Sequence, residues 1–253
     1  MNSMKITIIT VCYNSALHIE DAINSVYSQD YEDIEHIVID GNSTDGTKQI
    51  LRDHQDKLSF WISEDDHGIY DAMNKGILKA RGDVIGILNS DDFYFNDHVI
   101  STVAEAFQNN EVDAVFGDLI FVDPDNLDRT VRTYSSKKWH PDKFARGYMP
   151  AHPTFFVRRG FYAKHGLFET DYEIAADYEM LIRLLYVHKL NYRYLPMKMV
   201  KMRKGGVSSN GLKSNITLNN EIIRACRKHG IRTNSLKIYP KYFRKVFELF
   251  NHK

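Results

Sequence analysis

The sequence is poor in the features that mark disulfide bonding, membrane insertion and export. Only two cysteines occur among 253 residues. Cys12 and Cys226 have neither CxxC nor any other metal-ligand spacing, so we interpret both as core thiols of a reduced, cytoplasmic protein. No apolar run reaches the roughly 18 residues that a spanning helix needs, and no basic segment with an apolar signal core opens the chain. We therefore expect neither a membrane-spanning segment nor a signal peptide.

Charge of one sign is not in excess either, because Lys plus Arg and Asp plus Glu each number 33. We expect no nucleic-acid partner, since no overall field draws in a polyanion. The stretch 227–253 departs from this balance, with eight Lys or Arg residues and Glu248 as its one acidic residue. Its aromatic and apolar residues fall at helical spacing: Tyr239, Tyr242, Phe243, Val246, Phe247 and Phe250. Such a helix can lie on an anionic membrane surface or pack on its own domain.

The usual glycine-rich phosphate-binding fingerprints are absent as well. No GxGxxG occurs, so nothing indicates a Rossmann dinucleotide site. Residues 41–48 read GNSTDGTK, but a P-loop requires Lys before Ser or Thr, and here Thr47 precedes Lys48. The reversed order moves the ammonium group away from the phosphate cradle, which excludes a P-loop.

Apolar strands alternating with amphipathic helices are what the first half contains, and a hydrophobic content of 43% is enough for a large core. Apolar and β-branched runs predict strands at 5–12, 34–39, 60–62, 84–88 and 114–116. Apolar residues at helical spacing predict the helices between them, the first with Ser15 as its N-cap. This order predicts right-handed crossovers and a mostly parallel sheet.

The regular alternation of predicted strands and helices ends after residue 117. The sequence predicts a hairpin of 119–122 with 130–134, a loop over the site at 135–153, a strand at 155–157, a helix beginning after Asp177, a strand at 192–200, a flexible loop at 205–209 and a helix at about 215–229. We predict one domain over 1–212, with a nucleotide-binding half to about 117 and an acceptor half beyond it. Residues 213–253 form a helical, basic and aromatic extension.

Polar and acidic residues follow the predicted strands where they end. Asn89-Ser90-Asp91-Asp92 follows strand 84–88, and Asp40 and Glu64 follow two others. Because the carboxyl ends of parallel strands meet at one edge, these carboxylates can converge in one cleft. Mg²⁺ or Mn²⁺ reaches a protein through one or two carboxylates plus substrate phosphates, so a nucleotide-sugar with a metal suits this edge. Asp91 and Asp92 could instead cap the next helix, and Asp40 could form an Asx turn.

Three segments in this order resemble glycosyltransferase family 2, whose members have a GT-A fold. They are Thr10-Val11-Cys12-Tyr13-Asn14, residues 38–47 (VIDGNSTDGT) and Asn89-Ser90-Asp91-Asp92. The resemblance covers about residues 4–210 and includes residues 68–76 (GIYDAMNKG). It implies a Rossmann-like α/β fold, with a mostly parallel sheet flanked by helices, and an inverting transfer from a UDP-sugar. Asn89 departs from the family, which often has Asp there, so one possible metal or ribose ligand is missing.

The resemblance also implies roles for individual residues. Asp92 would coordinate Mg²⁺ or Mn²⁺, Asp91 would meet ribose or the metal shell, and Asp40 would contact the uracil end of the donor. Further donor-site candidates are Thr10, Tyr13, Asn14, Asp71, Asn74 and Lys75, to which Glu64 is added as an acidic strand end. Arg203 and the loop that follows it resemble a flexible segment closing over the diphosphate, although a solvated surface loop is the alternative.

For the catalytic base, the resemblance indicates Asp177, within Ala175-Ala176-Asp177-Tyr178-Glu179. In inverting transfer a carboxylate takes the proton of the acceptor hydroxyl opposite the departing UDP. Asp177 would also make a good N-cap for the helix that follows, and the two roles are compatible. Glu179 is the second candidate, although we expect it to be solvated. His152 is a candidate acceptor-site residue, with a structural histidine as the alternative.

These observations predict a metal-dependent glycosyltransferase with a glycan or lipid-linked acceptor in cell-surface polysaccharide synthesis. We expect it in the cytoplasm, with peripheral contact to the inner face of the membrane through the C-terminal extension. A nucleotidyltransferase acting on a sugar phosphate shares the fold class, but it would need a basic, glycine-rich N-terminal signature that Lys5 alone does not supply. A sugar- or nucleotide-binding module without catalysis is the non-enzymatic alternative.

Overall fold

The computed structural model describes residues 4–204 and 211–240, with the side chains of 211–213 excepted. Its strands are β1 (Ile6–Cys12), β2 (Ile34–Asp40), β3 (Phe60–Ser63), β4 (Val84–Ile87), β5 (Asp92–Tyr94), β6 (Ala114–Asp123), β7 (Asn126–Tyr134), β8 (Phe156–Arg158) and β9 (Tyr192–Arg203). Its helices are α1 (Ile19–Tyr27), α2 (Thr47–Asp53), α3 (Ile69–Lys79), α4 (Val99–Phe107), α5 (Gly160–His165), α6 (Ala176–Leu181), α7 (Gly211–Lys228) and α8 (Ser235–Ile238). Short 3₁₀ turns lie at Gln55–Lys57, Pro141–Arg146 and His152–Thr154, and α6 continues as a π-helix over Ile182–Val187.

Across the described residues, the nine strands form one sheet in the order β3-β2-β1-β4-β8-β6-β9-β5, with β7 paired to β6. β1 pairs in parallel with β2 and β4, and β2 with β3. β8 is antiparallel to both β4 and β6, whereas β9 is parallel to β6. Strands β1, β2, β3, β4, β6 and β9 therefore run in one direction, against β5, β7 and β8. The predicted mostly parallel sheet is confirmed, and it brings the carboxyl ends of β1 to β4 to one edge.

The core lies on both faces of this sheet. All seven residues of β1 are buried. Ile9 and Val11 join one cluster, whereas Ile6 and Ile8 join the other, as the alternation of side chains along a strand requires. Cys12 and Cys226 are both buried thiols that belong to hydrophobic core clusters, which confirms the prediction that they are core thiols.

Gly86 in the middle of β4 allows β8 to lie beside it. A Cβ atom at this position would lie 2.3 Å from Cε1 of Phe156, so a larger residue would force the two strands apart. The glycine marks a close approach, as an isolated glycine inside a strand often does.

Two local details differ from the sequence predictions. Ser15 is not the N-cap of α1, which begins at Ile19. The Ser15 hydroxyl lies 2.9 Å from the hydroxyl of Ser90 instead, and so joins the first loop to the segment after β4. Strand β5 has no counterpart among the predictions, because its three residues pair with β9, far along the chain.

Helix α7 packs on the domain through Ile222, Ile223 and Cys226, which belong to the larger core cluster. The predicted loop at 205–209 and the tail from 241 onward lie outside the described residues. Within the described ranges, no helix is both long enough and apolar enough to cross a membrane.

Candidate active site

The acidic pair after β4 has one partly exposed member, Asp91, and one buried member, Asp92, which is 1% exposed. Neither carboxylate oxygen of Asp92 has a hydrogen-bond partner among the described residues. Burial, reinforced by the charge of Asp91, raises the pKa of Asp92 well above its ordinary value, although the nearby Asn89 side chain and the charge of Arg203 oppose the effect. A buried carboxylate in this state is stable only when protonated or bound to a cation, so Asp92 fits a metal ligand.

The alternative reading of this pair, as a cap for the next helix, is wrong. Helix α4 begins at Val99, well after the pair, and its N-cap residue is His98. No group of three or more His, Cys, Asp or Glu side chains in the described part of the chain is arranged to hold a metal ion by itself. An ion at Asp92 would therefore need further ligands from a substrate.

Arg203 ends β9 beside the acidic pair. Its guanidinium donates a hydrogen bond of 2.6 Å to the Asp91 carbonyl, forms an ion pair with Asp21 of α1, and lies 4.9 Å from the ring centre of Phe93. Arg203 is only 7% exposed. It thus belongs to the sheet and not to the predicted flexible segment, and it lies next to the residues expected to meet the diphosphate.

Thr10 and Asp40 face the protein interior at the ends of β1 and β2, and both are fully buried. The Thr10 hydroxyl lies 3.0 Å from Nε2 of His36. The Asp40 carboxylate accepts hydrogen bonds from the Ser43 amide at 3.0 Å and the Ser63 hydroxyl at 2.6 Å, and also from the Ser43 hydroxyl. Asp40 therefore caps the turn after β2, as expected for the alternative of a turn-capping Asx residue.

Tyr13 and Asn14 lie at the exposed end of β1. Asn14 adopts the left-handed conformation, with φ of 49°. Its amide donates to the Ser43 hydroxyl at 2.7 Å, and its side-chain oxygen accepts from the Thr44 amide at 2.9 Å. Asn14 thereby fastens the end of β1 to the turn after β2, and the neighbouring Tyr13 is left 65% exposed beside that turn.

Lys75 of α3 contacts acidic groups in the turn after β3 and in the first turn of α3. Its Nζ lies 3.0 Å from Glu64 Oε1 and 3.6 Å from Asp71 Oδ2, and it donates to the Asp65 carbonyl at 2.8 Å. Asn74 points elsewhere. Its side chain donates to the Phe168 carbonyl at 2.8 Å and accepts from the Phe168 amide at 2.9 Å. Of the candidates on α3, Asp71 and Lys75 therefore lie at the edge of the sheet, whereas Asn74 contacts the segment before α6.

Asp177 and His152 lie side by side, with 3.1 Å between Oδ2 and Nδ1. Asp177 is the second residue of α6, and its side chain is 15% exposed against 35% for His152. Burial raises the pKa of Asp177 above its ordinary value, although the neighbouring His152 opposes the effect. Asp177 is not the N-cap, because Ala175 holds that position.

A cavity of about 40 Å³ joins this pair to the end of β4. A space of this size admits water but not a sugar. Its lining residues are Met73, Ile87, Asn89, His152, Pro153, Phe155, Tyr162, Phe168, Asp177, Met180 and Leu181. The sequence did not predict Asn89 as a site residue, although its position directly after a buried strand was a usable signal. Its side-chain oxygen is buried without a hydrogen-bond partner in the described part of the chain.

The expectation that Glu179 is solvated is wrong. Glu179 is fully buried, with a pair of bonds to Arg183 at 2.8 and 3.2 Å and a bond of 2.6 Å to Nε2 of His229. These partners outweigh burial and lower the pKa of Glu179. An ionised carboxylate held by two basic groups is a poor proton acceptor, so Glu179 drops out as a second base.

Sequence comparison links the chain to known transferases. Residues 7–165 match the profile of the family described as Glycosyl transferase family 2. An uncharacterized glycosyltransferase of Mycobacterium tuberculosis is 33% identical over 184 residues, which cover 70% of this chain and 68% of that protein. The PGL/p-HBAD biosynthesis glycosyltransferase of Mycobacterium bovis is 27% identical over 208 residues, which cover 81% of this chain and 78% of that protein.

Two solved structures resemble the whole described domain. TarS 1–349 of S. aureus in complex with UDP-GlcNAc aligns with a TM-score of 0.70 at 20% identity, covering 88% of this chain and 66% of that chain. The mannosyltransferase PcManGT from Pyrobaculum calidifontis, in complex with GDP-Man and Mn²⁺, aligns with a TM-score of 0.66 at 20% identity, covering 90% of this chain and 64% of that chain. This chain therefore spans about two thirds of each solved chain. At these identities the likeness shows the fold alone, and it confirms the predicted GT-A fold class.

Proposed function

Because this chain belongs to glycosyltransferase family 2, we propose that it is an inverting, metal-dependent transferase that moves a sugar from a UDP-sugar to a glycan or lipid-linked acceptor. We place this reaction in cell-surface polysaccharide synthesis, and the relative named for PGL/p-HBAD biosynthesis supports a biosynthetic role. TarS bound to UDP-GlcNAc and PcManGT bound to GDP-Man support a nucleotide-sugar donor, and the first of them favours UDP.

The observation that carries the proposal is the position of Asp177. Its carboxylate lines the same cavity as Asn89, the first residue of the NSDD segment. A candidate base on α6 and the donor edge after β4 therefore face one another across a small space. Single displacement at an anomeric carbon needs this opposition, with the acceptor on one face and the leaving diphosphate on the other.

Asp177 would take the proton of the acceptor hydroxyl. The oxygen then forms a bond to the anomeric carbon as the bond from that carbon to the diphosphate breaks, and UDP leaves with the electron pair. A carboxylate whose pKa is raised by burial is a better proton acceptor than an exposed one. His152, at 3.1 Å, would orient the carboxylate and border the acceptor.

On the donor side, Asp92 would hold Mg²⁺ or Mn²⁺, with Asp91 at its outer side. The buried, unpartnered oxygens of Asp92 support this choice, and so does the Mn²⁺ in the PcManGT complex. When bound, the ion would offset the charge that develops on the departing diphosphate. Arg203, beside Asp91, would add a fixed positive charge there.

The nucleoside would lie along the ends of β1 and β2. The exposed ring of Tyr13 would pack on the uracil, and Asn14, Glu64, Asp71 and Lys75 would border the donor. Asn74 would instead support the segment before α6 through its bonds to Phe168. Thr10 and Asp40 would support this surface from the protein interior, because their side chains are buried against His36 and Ser43. The acceptor would approach past His152, and the basic extension would meet the inner membrane surface.

Asp177→Asn tests the proposed base, and the chain offers a matched control. His140 and Asp142 form another pair with 3.1 Å between Nδ1 and Oδ2, but both side chains are well exposed. We would measure UDP release from a panel of UDP-sugars with Mn²⁺, using a membrane extract as the acceptor source. Asp177→Asn should lower turnover by about 10²- to 10⁴-fold and leave UDP binding intact, and Asp142→Asn should leave both unchanged. Undiminished turnover in Asp177→Asn would exclude Asp177 as the base.

The donor nucleotide and the metal need a separate measurement. Thermal unfolding with UDP, GDP or CDP, each with and without Mn²⁺, would be compared between the wild type and Asp92→Asn. A ligand at about 100 times its dissociation constant adds roughly 2.7 kcal/mol. Stabilisation by UDP that requires Mn²⁺ and is lost in Asp92→Asn is the expected result. Stabilisation by GDP alone would mean that the donor is a GDP-sugar and not a UDP-sugar. Stabilisation by UDP that does not depend on Mn²⁺ would contradict the proposed metal.

A further inference from the structure

Helix α7 holds the backbone from which α6 begins. Glu221 of α7 accepts a hydrogen bond of 2.7 Å from the amide of Glu173, and bonds of 2.9 Å from the amides of Ile174 and Ala175. Ala175 is the N-cap residue of α6. Amides at the start of a helix have no partners within it, and here one carboxylate from a distant helix engages three consecutive amides.

We propose that Glu221 is a positioning residue for sugar transfer, which fixes the backbone at 173–175 so that Asp177 faces His152 and the cavity. This inference depends on the proposed function, because it takes Asp177 as the base. Helix α7 lies beyond residues 7–165, the range of the family match. Glu221, the proposed positioning residue, therefore lies outside the segment that matches the family.

Two further contacts restrict the same segment. The Tyr70 hydroxyl of α3 donates to the Ile174 carbonyl at 2.5 Å, so both polar backbone groups of Ile174 are held by side chains from other helices. At the other side of α6, Nε2 of His229, the residue directly after α7, lies 2.6 Å from Oε1 of Glu179. Helices α6 and α7 are thus joined before and after Asp177. A displacement of about 1 Å at a reacting group can cost 100-fold in rate, so rigid support of this kind is needed.

The charge of Glu221 reaches Asp177 as well. The ionisable groups around Asp177 are His152 from the 3₁₀ turn, Tyr70 from α3, Tyr178 from α6 and Glu221 from α7. The Tyr70 and Tyr178 hydroxyls donate to the carbonyls of Ile174 and Phe144. Glu221 raises the pKa of Asp177 and His152 lowers it. Glu221 therefore acts on the base through both backbone position and charge.

Carbon-13 titration of the Asp177 carboxyl group, assigned with Asp177→Asn, tests this inference without any substrate. Hydrogen exchange at the amides of 173–175 would be measured on the same proteins. Glu221→Gln should lower the pKa of Asp177, because a negative charge is removed, and should speed exchange at these amides by about 10-fold or more. Glu221→Asp keeps the charge but shortens the reach, so it should speed exchange and retain most of the raised pKa.

The matched control is Glu169→Gln. Glu169 pairs with Lys228 at the end of α7, so this change removes a contact of the same helix without touching 173–175, and both readouts should stay at wild-type values. An Asp177 titration in Glu221→Gln that superimposes on the wild type would overturn the inference, even if the melting temperature falls. If Glu221→Gln does not fold, unchanged exchange in Glu221→Asp would overturn it. Failure of the proposed base appears separately, as undiminished UDP release in Asp177→Asn.

Discussion

The two sides of helix α6 carry carboxylates in opposite states. Asp177 faces the cavity, His152 is the one basic residue within ion-pair distance of it in the described structure, and the pKa of Asp177 is raised. Glu179, two residues later, faces α7 between Arg183 and His229, and its pKa is lowered. Both are largely withdrawn from solvent, so burial alone does not separate them. The number of basic partners does, and this difference supports the proposal that Asp177 serves in the chemistry and Glu179 in the structure.

The largest effect on stability is expected on the α7 side. Glu179→Ala leaves Arg183 and His229 without their buried carboxylate, and breaking a buried ion pair in this way costs about 3 kcal/mol. At roughly 2–4 °C per kcal/mol for a domain of this size, the melting temperature should fall by about 6–12 °C. Differential scanning calorimetry measures the change. A fall of less than about 2 °C would mean that the network is not structural.

Asp177→Asn should affect stability far less, although it should affect turnover most. The change keeps the shape of the side chain and removes the need to desolvate a charge. The free energy of unfolding should therefore stay within about 1 kcal/mol of the wild type. Urea unfolding at neutral pH tests this expectation. A loss of unfolding free energy as large as that of Glu179→Ala would contradict the proposed difference between the two sides of the helix.

The pH dependence of stability should separate the same two residues by sign. Because the folded-state pKa of Glu179 lies below 4.5, its contribution is present above that pH and is lost as pH falls through the folded-state pKa. Because the folded-state pKa of Asp177 lies above 3.8, its contribution is present below that pH and is lost as pH rises through the folded-state pKa. Urea unfolding of Glu179→Gln and Asp177→Asn across this range should show opposite slopes relative to the wild type. Parallel slopes would contradict the assignment.

The smallest effect is expected from His152→Gln. Removing the imidazole removes the neighbour that lowers the pKa of Asp177, so this pKa should rise modestly. The acid side of the pH–rate profile would move to higher pH, and carbon-13 titration of Asp177 would follow it. A pKa of Asp177 that falls instead would contradict the assignment of His152 as the neighbour that lowers it.

Local sequence patterns were enough for most of the elements of the first half. Runs such as that of β1 are apolar throughout because both faces of the strand are covered. Three-residue β5 was missed because its pairing with Lys201 and its neighbours is set by tertiary contact. Its sequence has no pattern long enough to recognise.

The candidate site was predictable only in part, for a similar reason. Asp177 and Asp92 were named through the family resemblance, and their catalytic and metal-binding roles stay predictions. The two basic partners of Glu179 differ in sequence separation. Arg183 follows it by four residues, a helical spacing that a sequence shows, whereas His229 lies 50 residues away. Glu221 was missed because its contacts go to backbone amides, and no side-chain pattern in a sequence records those.

The position of β8 has a consequence for the modularity of the protein. This short strand is antiparallel to β4 on one side and to β6 on the other, so a late part of the chain fills a gap in the sheet built by the early part. A fragment ending near residue 117 would expose the edge of β4 and leave β5 without β9, and unpaired edges of this kind invite aggregation. The two halves of the enzyme are therefore interlocked, and swapping one of them between relatives should fail unless β8 and β9 move with it.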